Sequence, residues 1–355
     1  MKIALLFPGI GYQCEKPLLY YAQKICSQYQ YETIQVPYTN LPRSIPEAFS
    51  DACAQTENYL DSIHWDSYED ILFISKSIGT AVAASFAKKH GVSCRNIYYT
   101  PLAQTFDFAP QAGIAFHGTC DSWAETTVIK EKCREHSLPL YIIDNASHSL
   151  ELQAEKCTVR QNIGILENVM KVSEQYIAHG IYYRALQSGE ICRELFRGFI
   201  RRQNVQKCLR KENGAWVIKD APFIDDWSEN DYQFLVKCLK NTVETGGLVY
   251  GAFCGNALKG FASVESALFG SAQEYLDLSC IHISEDMRGK GIGSILFGTA
   301  KDWAKKKGGK KLYISSHSAV ETQAFYNAMG CVDAQEYNQH HVELEPYDRQ
   351  LECLL

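Results

Sequence analysis

Residues 72–79 read LFISKSIG: an apolar run halts at serines, and from Gly79 the chain continues as GTAVAASFAKKHG, with the composition of a helix. A strand that stops at Ser77 and turns straight into a helix holds that hydroxyl at the carboxyl edge of a sheet. A helix N-cap looks much the same. Partners elsewhere in the chain must decide between the two.

Around this stretch, short apolar runs alternate with amphipathic ones. Candidate strands are Ile3–Phe7, Thr33–Val36, Ile71–Ile74, Asn96–Tyr99, Gly113–Phe116 and Leu140–Ile143. Helical stretches fall at Pro17–Gln28, Ile45–Ile63, Gly79–His90, Ser122–His136 and Ile163–Ala178. This is the pattern of a mostly parallel sheet with helices on both faces. At His179-Gly180 the pattern restarts, which sets domains of 1–179 and 180–355, as a chain of 355 residues leads one to expect. The second half offers a strand in IYYRALQSGE (181–190), then a helix in ICRELFRGFIRR (191–202). A hairpin follows in LVYGAFCG and ALKGFASVES, turning at Gly255-Asn256. The rest reads as a strand YLDLSCIHIS (275–284), a glycine-rich loop and helix, a strand KKLYISS, a helix ETQAFYNAMG, and late strands near His341–Leu344 and Gln350–Leu354.

Bulk composition bounds the function. Hydrophobic residues make up 46% and charged residues 21%, without an apolar run long enough to span a bilayer. The N-terminal MKIALLFPGIGY is broken by Pro8 and Gly9 and reads as a buried first strand rather than a leader. Fourteen cysteines without a C-x-x-C pair suit free thiols in a reducing cytoplasm and suggest no metal site. A net charge of -6 argues against nucleic acid as a partner. The basic run KDWAKKKGGKK (301–311) reads as a solvated helix end.

A serine hydroxyl attacks a carbonyl only when a base takes its proton, and the base needs a carboxylate to hold its tautomer. Asp121 follows the strand GIAFHG, and His148 lies past the strand LPLYII, so three strand ends supply Ser, Asp and His in that order. Asp144 is the rival acid, but it shares a strand end with His148. The S-K-S-I-G stretch resembles the nucleophile elbow of the α/β-hydrolase family, G-x-S-x-G, with Ser75 at the first glycine. The resemblance implies catalytic Ser77, Asp121 and His148, and an oxyanion hole from the N–H groups of Ile78 and of Ile10 or Gly11 in the loop FPGIGYQ. The substrate it implies is an ester or thioester, reached under little lid beyond Thr100–Ala112.

The second constellation is Arg288-Gly289-Lys290-Gly291-Ile292-Gly293, which follows a strand and opens a helix. Glycines allow a close approach to a pyrophosphate, and a helix N-terminus offers it N–H groups. The run matches the R-x-x-G-x-G/A signature of the GNAT acetyltransferase superfamily, and ETQAFYNAMGC resembles that family's A-x-x-FY-x-x-x-GF, with Gly330-Cys331 for Gly-Phe. The resemblance covers about 181–355 and implies an α+β domain with a splayed mixed sheet, acetyl-CoA as donor, and an amine on a small molecule or peptide as acceptor. It implies cofactor contacts from Ile283 and from Arg288 through Gly293 to Ser294, and Tyr326 as the acid that protonates CoA thiolate. The family's asparagine after the next strand is replaced here by SSHSAVET, leaving the role to His317 or Ser318. Glu265, Glu274 and Asp277 are the candidate bases. The aromatic and acidic residues Trp216, Asp225, Asp226 and Trp227, with Phe223, suit a cationic acceptor.

The expected protein is therefore a cytoplasmic fusion of a compact α/β-hydrolase-like domain with a GNAT N-acetyltransferase, with no nucleic acid or membrane partner. Whether the first domain is an active esterase or a non-catalytic binding module stays open, as does a homodimer.

Overall fold

Ile3, Leu5 and Phe7 join one buried cluster while Ala4 and Leu6 join another, so the first strand is covered on both faces. That double burial is what a parallel sheet between helices requires. The computed structural model describes residues 1–42, 44–110, 112–152 and 158–355. It divides into two units, Met1–Tyr182 and Tyr183–Leu355.

The first unit runs β1 (Lys2–Phe7), α1 (Pro17–Gln28), β2 (Glu32–Gln35), α2 (Ile45–Leu60), β3 (Asp70–Lys76), α3 (Ile78–His90), β4 (Arg95–Tyr99), β5 (Gly113–Gly118), α4 (Thr126–Glu135), β6 (Leu140–Ile143) and α5 (Val159–His179). The six strands are parallel, in the order β2-β1-β3-β4-β5-β6. Residues of α1 and α5 pack in the cluster that holds Leu72, Ile74, Ile97 and Tyr99. Residues of α2 and α3 pack on the opposite face with Ile71 and Phe73. The carboxyl ends of the strands open at one edge, where ligands bind in sheets of this kind. Near that edge, Ala103–Phe108 forms a 3-10 segment in place of open loop; Gln111 and 153–157 lie outside the described residues.

The second unit continues with β7 (Ile181–Ala185), β8 (Arg202–Glu212), β9 (Ala215–Asp226), α6 (Glu229–Glu244), β10 (Leu248–Cys254), β11 (Ala257–Val264), β12 (Tyr275–Asp277), β13 (Cys280–Ile283), α7 (Ile292–Lys306), β14 (Lys311–Ser316), α8 (Val320–Ala328), β15 (Val332–Asp333), α9 (Gln339–Leu344) and β16 (Arg349–Leu354). Its sheets are β13-β11-β10-β7, β12-β14-β16-β15 and the ribbon β8-β9.

The stretch 275–284 is not one strand. Tyr275–Asp277 pairs parallel with β14, while Cys280–Ile283 pairs antiparallel with β11, so the two sheets part at Leu278-Ser279. The predicted hairpin at Gly255-Asn256 forms, with a bulge at Ala252/Phe253.

Three other expectations are corrected. Residues 191–202 form no α-helix: a short 3-10 turn covers Arg193–Phe196, because buried Ile191, Phe196 and Phe199 are spaced five and three apart, off any single helix face. Trp216, Phe223, Asp225 and Asp226, expected together at an acceptor site, lie along the second strand of the ribbon. His341–Leu344 is the end of a helix, started by Asn338, whose side chain accepts from the His340 N–H at 3.1 Å. Four residues are too few for alternation to identify a strand.

Candidate functional sites

In the first unit, β3 delivers Ser77 into a sharp turn with φ 56° and ψ -125°, a conformation that a serine rarely holds. The turn is clamped: the Ser77 N–H donates to the Tyr99 carbonyl at 3.1 Å, and the Thr80 hydroxyl donates to the Ser77 carbonyl at 2.6 Å. Ser75 is fully buried and its hydroxyl donates sideways to the Ile97 carbonyl at 3.3 Å, so the residue at the elbow's first small position does not crowd Ser77. Across the loop, a Cβ on Gly9 would sit 3.0 Å from the Ser77 Cβ. The loop after β1 therefore approaches the serine as closely as a side chain there would forbid.

The strand ends of β5 and β6 bring the other two residues. His148 Nε2 lies 2.8 Å from Ser77 Oγ, and His148 Nδ1 lies 2.7 Å from Asp121 Oδ2. A carboxylate only accepts, so the imidazole presents N–H to Asp121 and a lone pair to the serine. Asp121 has a fully buried side chain; burial pushes its carboxyl up, and hydrogen bonds from His148 and from the Trp123 N–H at 2.8 Å outweigh that and hold it low. Asp144 takes no place in this chain of contacts. Gly9 and Tyr12 exchange backbone hydrogen bonds of 3.0 and 3.2 Å, making Ile10 and Gly11 the tip of a turn. The N–H groups of Ile10, Gly11 and Ile78 meet no acceptor among the described residues, as donors kept for an oxyanion would.

Three neighbours escape sequence reasoning. His117 is fully buried behind Asp121, its Nδ1 3.7 Å from Asp121 Oδ2, and burial pushes its imidazole down. Lys76, one residue before the serine, is buried with its ammonium 2.6 Å from the Thr100 hydroxyl and 5.0 Å from the Tyr12 ring centre; burial pushes it down to about 7. Trp123 is 62% exposed with its ring 6.1 Å from His148. An alternation rule could have marked Lys76 as inward, since Leu72 and Ile74 share its face.

In the second unit, β13 ends at Ile283 and the chain reaches α7 through Arg288–Gly291. Gly289 and Gly291 have φ of 74° and 80°, and a Cβ on Gly289 would meet nothing within 4 Å. The backbone at Gly289 thus faces open space, and the left-handed turn through both glycines leads into the first N–H groups of α7, a fit for a pyrophosphate. Gly293 differs: a Cβ there would lie 3.0 Å from the Phe325 ring, so it is small for packing. Ser294 donates to the Gly291 carbonyl at 2.7 Å, and Arg288 is exposed, its Nε 3.3 Å from the Ile283 carbonyl. Ile292 is buried under this first turn, while Lys290 reaches back to the Met287 sulfur at 3.3 Å.

Tyr326, not Phe325, is the more buried of the pair, and burial pushes its hydroxyl well above the usual range. In the SSHSAVET loop, His317 stacks edgewise on Phe223 and Ser318 accepts from Arg210 at 2.6 Å, so both are held by the ribbon. Trp216 stands nine residues from Asp225 along β9, about 30 Å. The four proposed acceptor residues therefore do not make one pocket. Trp227 packs against Tyr232 and His282, and Asp225 pairs with Arg201. Trp216 lies instead in a cleft of about 450 Å³ with Arg210, Tyr347 and Asp348. The three candidate bases are engaged differently, although the Glu265 N–H donates to the Asp277 carbonyl at 2.9 Å. Glu274 is paired with Lys311 at 3.2 Å, and Glu265 accepts from Thr242 and Ser279 at 2.7 and 2.9 Å. Asp277 contacts His341.

With this geometry in hand, the model of the acetyltransferase (GNAT) family matches residues 210–331, which span the parted sheets, the glycine loop and Tyr326. The second unit carries a GNAT domain. No curated protein matches the chain. Among solved structures it is similar to nourseothricin acetyltransferase (15% identity, TM-score 0.35), covering 48% of this chain and 95% of that one. It is similar also to Est1E from Butyrivibrio proteoclasticus (11%, 0.39; 50% and 86%) and to an alpha-beta serine hydrolase homologue from Coxiella burnetii (17%, 0.35; 48% and 84%). Ahead of the GNAT domain, the parallel sheet with its serine elbow has the α/β-hydrolase arrangement. No helix among the described residues is long and apolar enough to cross a membrane.

Proposed function

We propose that the chain is bifunctional: an acetyl-CoA-dependent N-acetyltransferase in its GNAT domain and a serine acyl hydrolase, acting on an ester or thioester, in its first unit. The hydrolase reading rests on the unbroken contact from Asp121 through His148 to Ser77. Ser77 Oγ attacks the acyl carbonyl as His148 takes its proton, and Asp121 holds the imidazole and stabilises its cation. The N–H groups of Ile78 and of Ile10 or Gly11 receive the oxyanion, and water then releases the acyl group from Ser77. Turnover of p-nitrophenyl acetate by wild type and by Ser77→Ala tests this. Loss on substitution supports it; equal, background-level rates leave the unit a binding or scaffold module.

The transferase reading rests on the left-handed glycines Gly289 and Gly291 leading into α7, with open space at Gly289. Acetyl-CoA supplies the activated acetyl group; Arg288, Lys290 and the first N–H groups of α7 hold its phosphates, and Ile283 and Ser294 flank them. Tyr326, kept protonated by its burial, gives a proton to the departing thiolate. The acceptor is an amine of a small molecule or peptide. Calorimetry with acetyl-CoA on wild type and Gly291→Glu tests the cradle: binding that ignores the substitution refutes it. Tyr326→Phe should bind acetyl-CoA normally and turn over poorly. A cytoplasmic location fits cysteines that are all free among the described residues.

A further inference from the structure

Where the two sheets of the GNAT domain part, one buried carboxylate is half used. Asp277 ends β12, and its register partner Tyr313 is among the last β14 residues before the sheets separate. Asp277 is 9% exposed; Oδ2 lies 2.7 Å from His341 Nε2, while Oδ1 is buried without a partner among the described residues. An unpaired oxygen on a buried carboxylate is costly, and such sites persist where they serve a purpose. His341 comes from α9, in the connection between β15 and β16. Its ring stacks on Tyr313 at 5.9 Å, and its side chain is 20% exposed. Nδ1 takes no partner among the described residues.

We propose that His341 is the general base that deprotonates the acceptor amine, with Asp277 as its positioning residue. The inference rests on the acetyltransferase reading above. Asp277 accepts the Nε2 proton, which fixes the tautomer and leaves the Nδ1 lone pair to take a proton. The position suits the task. Asp277 ends the strand that parts at Leu278-Ser279, and the same chain continues through β13 to Ile283, beside the glycine loop. Glu345 and Asp348, next to α9, line the cleft with Trp216 and Tyr347, alongside Arg210, Lys211 and Lys219.

The proton balance is complete. An acceptor ammonium loses one proton to His341 Nδ1. The amine lone pair forms the C–N bond at the thioester carbonyl, the C–S bond breaks, and the second proton leaves the nitrogen as Tyr326 protonates the thiolate. His341 and Tyr326 then re-equilibrate with solvent, for a net release of one proton.

The groups facing His341 are Asp277 from β12, Tyr313 from β14, Glu345 and Asp348 after α9, and His340 beside it. The bond to Asp277 raises the His341 pKa, with burial opposing. A base works deprotonated, so kcat/KM should rise with pH through that raised value.

The test uses the full chain, acetyl-CoA, and spermidine, kanamycin and a peptide with a free amino terminus, read by CoA release across pH, with histidine ring NMR alongside. His341→Gln, which retains a donor toward Asp277, should lower kcat by about 100-fold or more, leave the KM for acetyl-CoA unchanged, and abolish the acidic limb. Asp277→Asn should shift that limb, and the His341 ring titration seen by NMR, to lower pH. Wild-type turnover that His341→Gln leaves intact, or an acidic limb that persists in it, overturns the assignment alone. No turnover of any of the three amines, with no acetyl-CoA binding, overturns the acetyltransferase reading and this one with it. Acetyl-CoA binding without turnover of these amines overturns the assignment if the His341 ring titrates identically in wild type and Asp277→Asn, and supports it if that titration shifts down.

Discussion

A methyl group on Gly79 would run into the main-chain carbonyl oxygens of Phe7 and Pro8, the latter at 2.5 Å. The residue two places after Ser77 is thus locked against the end of β1, the strand whose loop carries Ile10 and Gly11. Backbone cannot retreat as a flexible side chain would, so Gly79→Ala must push α3 away from β1. We expect a stability loss of about 1–3 kcal/mol and, because the elbow and the oxyanion loop move apart, loss of esterase turnover. Thermal unfolding and p-nitrophenyl acetate assays check both; an unchanged melting temperature contradicts the contact.

Asp121 orients His148 rather than reacting. Asp121→Asn keeps the shape but can present an N–H to Nδ1, favouring the tautomer with a proton aimed at Ser77. A fall in kcat of about 10³- to 10⁴-fold is expected, with folding intact by circular dichroism. A fall of less than tenfold would show that the carboxylate is dispensable.

Lys76 should cost stability at neutral pH. Its folded pKa of about 7 lies below that of an ordinary lysine, so from pH 10 down to 7 the unfolded chain binds a proton that the folded chain refuses. Stability therefore rises with pH across that window. Lys76→Met should raise the melting temperature at pH 7.5, and the gain should shrink toward pH 10. A gain independent of pH would mean that packing, not charge burial, is responsible.

Arg95 ties three elements together. It pairs with Asp70 at 2.8 Å, donates to the Tyr31 hydroxyl at 2.6 Å, and reaches the Tyr176 and Ile177 carbonyls near the end of α5. Burial pushes the Asp70 carboxyl up, but the bonds from Arg95 and Tyr31 hold it below its usual value. Its contribution is therefore present at neutral pH and lost as pH falls through that depressed value. Asp70→Asn should destabilise by about 1–3 kcal/mol at pH 7, measured by urea unfolding, and by less at pH 3. Equal losses at both pH values would rule out the charge as the cause.

Much of the first unit was legible because its central strands are short, apolar and buried on both faces. LFISKSIG announces a strand-to-helix turn, and Ser77, Asp121 and His148 follow the ends of β3, β5 and β6 in that order. The glycine loop at 288–293 was legible for a similar reason: its neighbours in space are also its neighbours in sequence. Helix α9 and the 191–202 segment were misread because their structure depends on what packs against them, not on a local period.

The sequence by itself determined the two-part organisation, the parallel sheet and the residues that stand at its carboxyl edge, since burial on both faces and local turn chemistry are written in consecutive residues. Only the tertiary structure decided that Ser75 turns its hydroxyl to Ile97 and leaves Ser77 clear, that the Lys76 ammonium meets the Thr100 hydroxyl, and that Trp216 and Asp225 stand far apart on one strand. It also decided that Asp277 and His341, 64 residues apart, touch. Contacts between distant segments depend on how the sheets part and how helices are seated, and no periodicity in the chain encodes that.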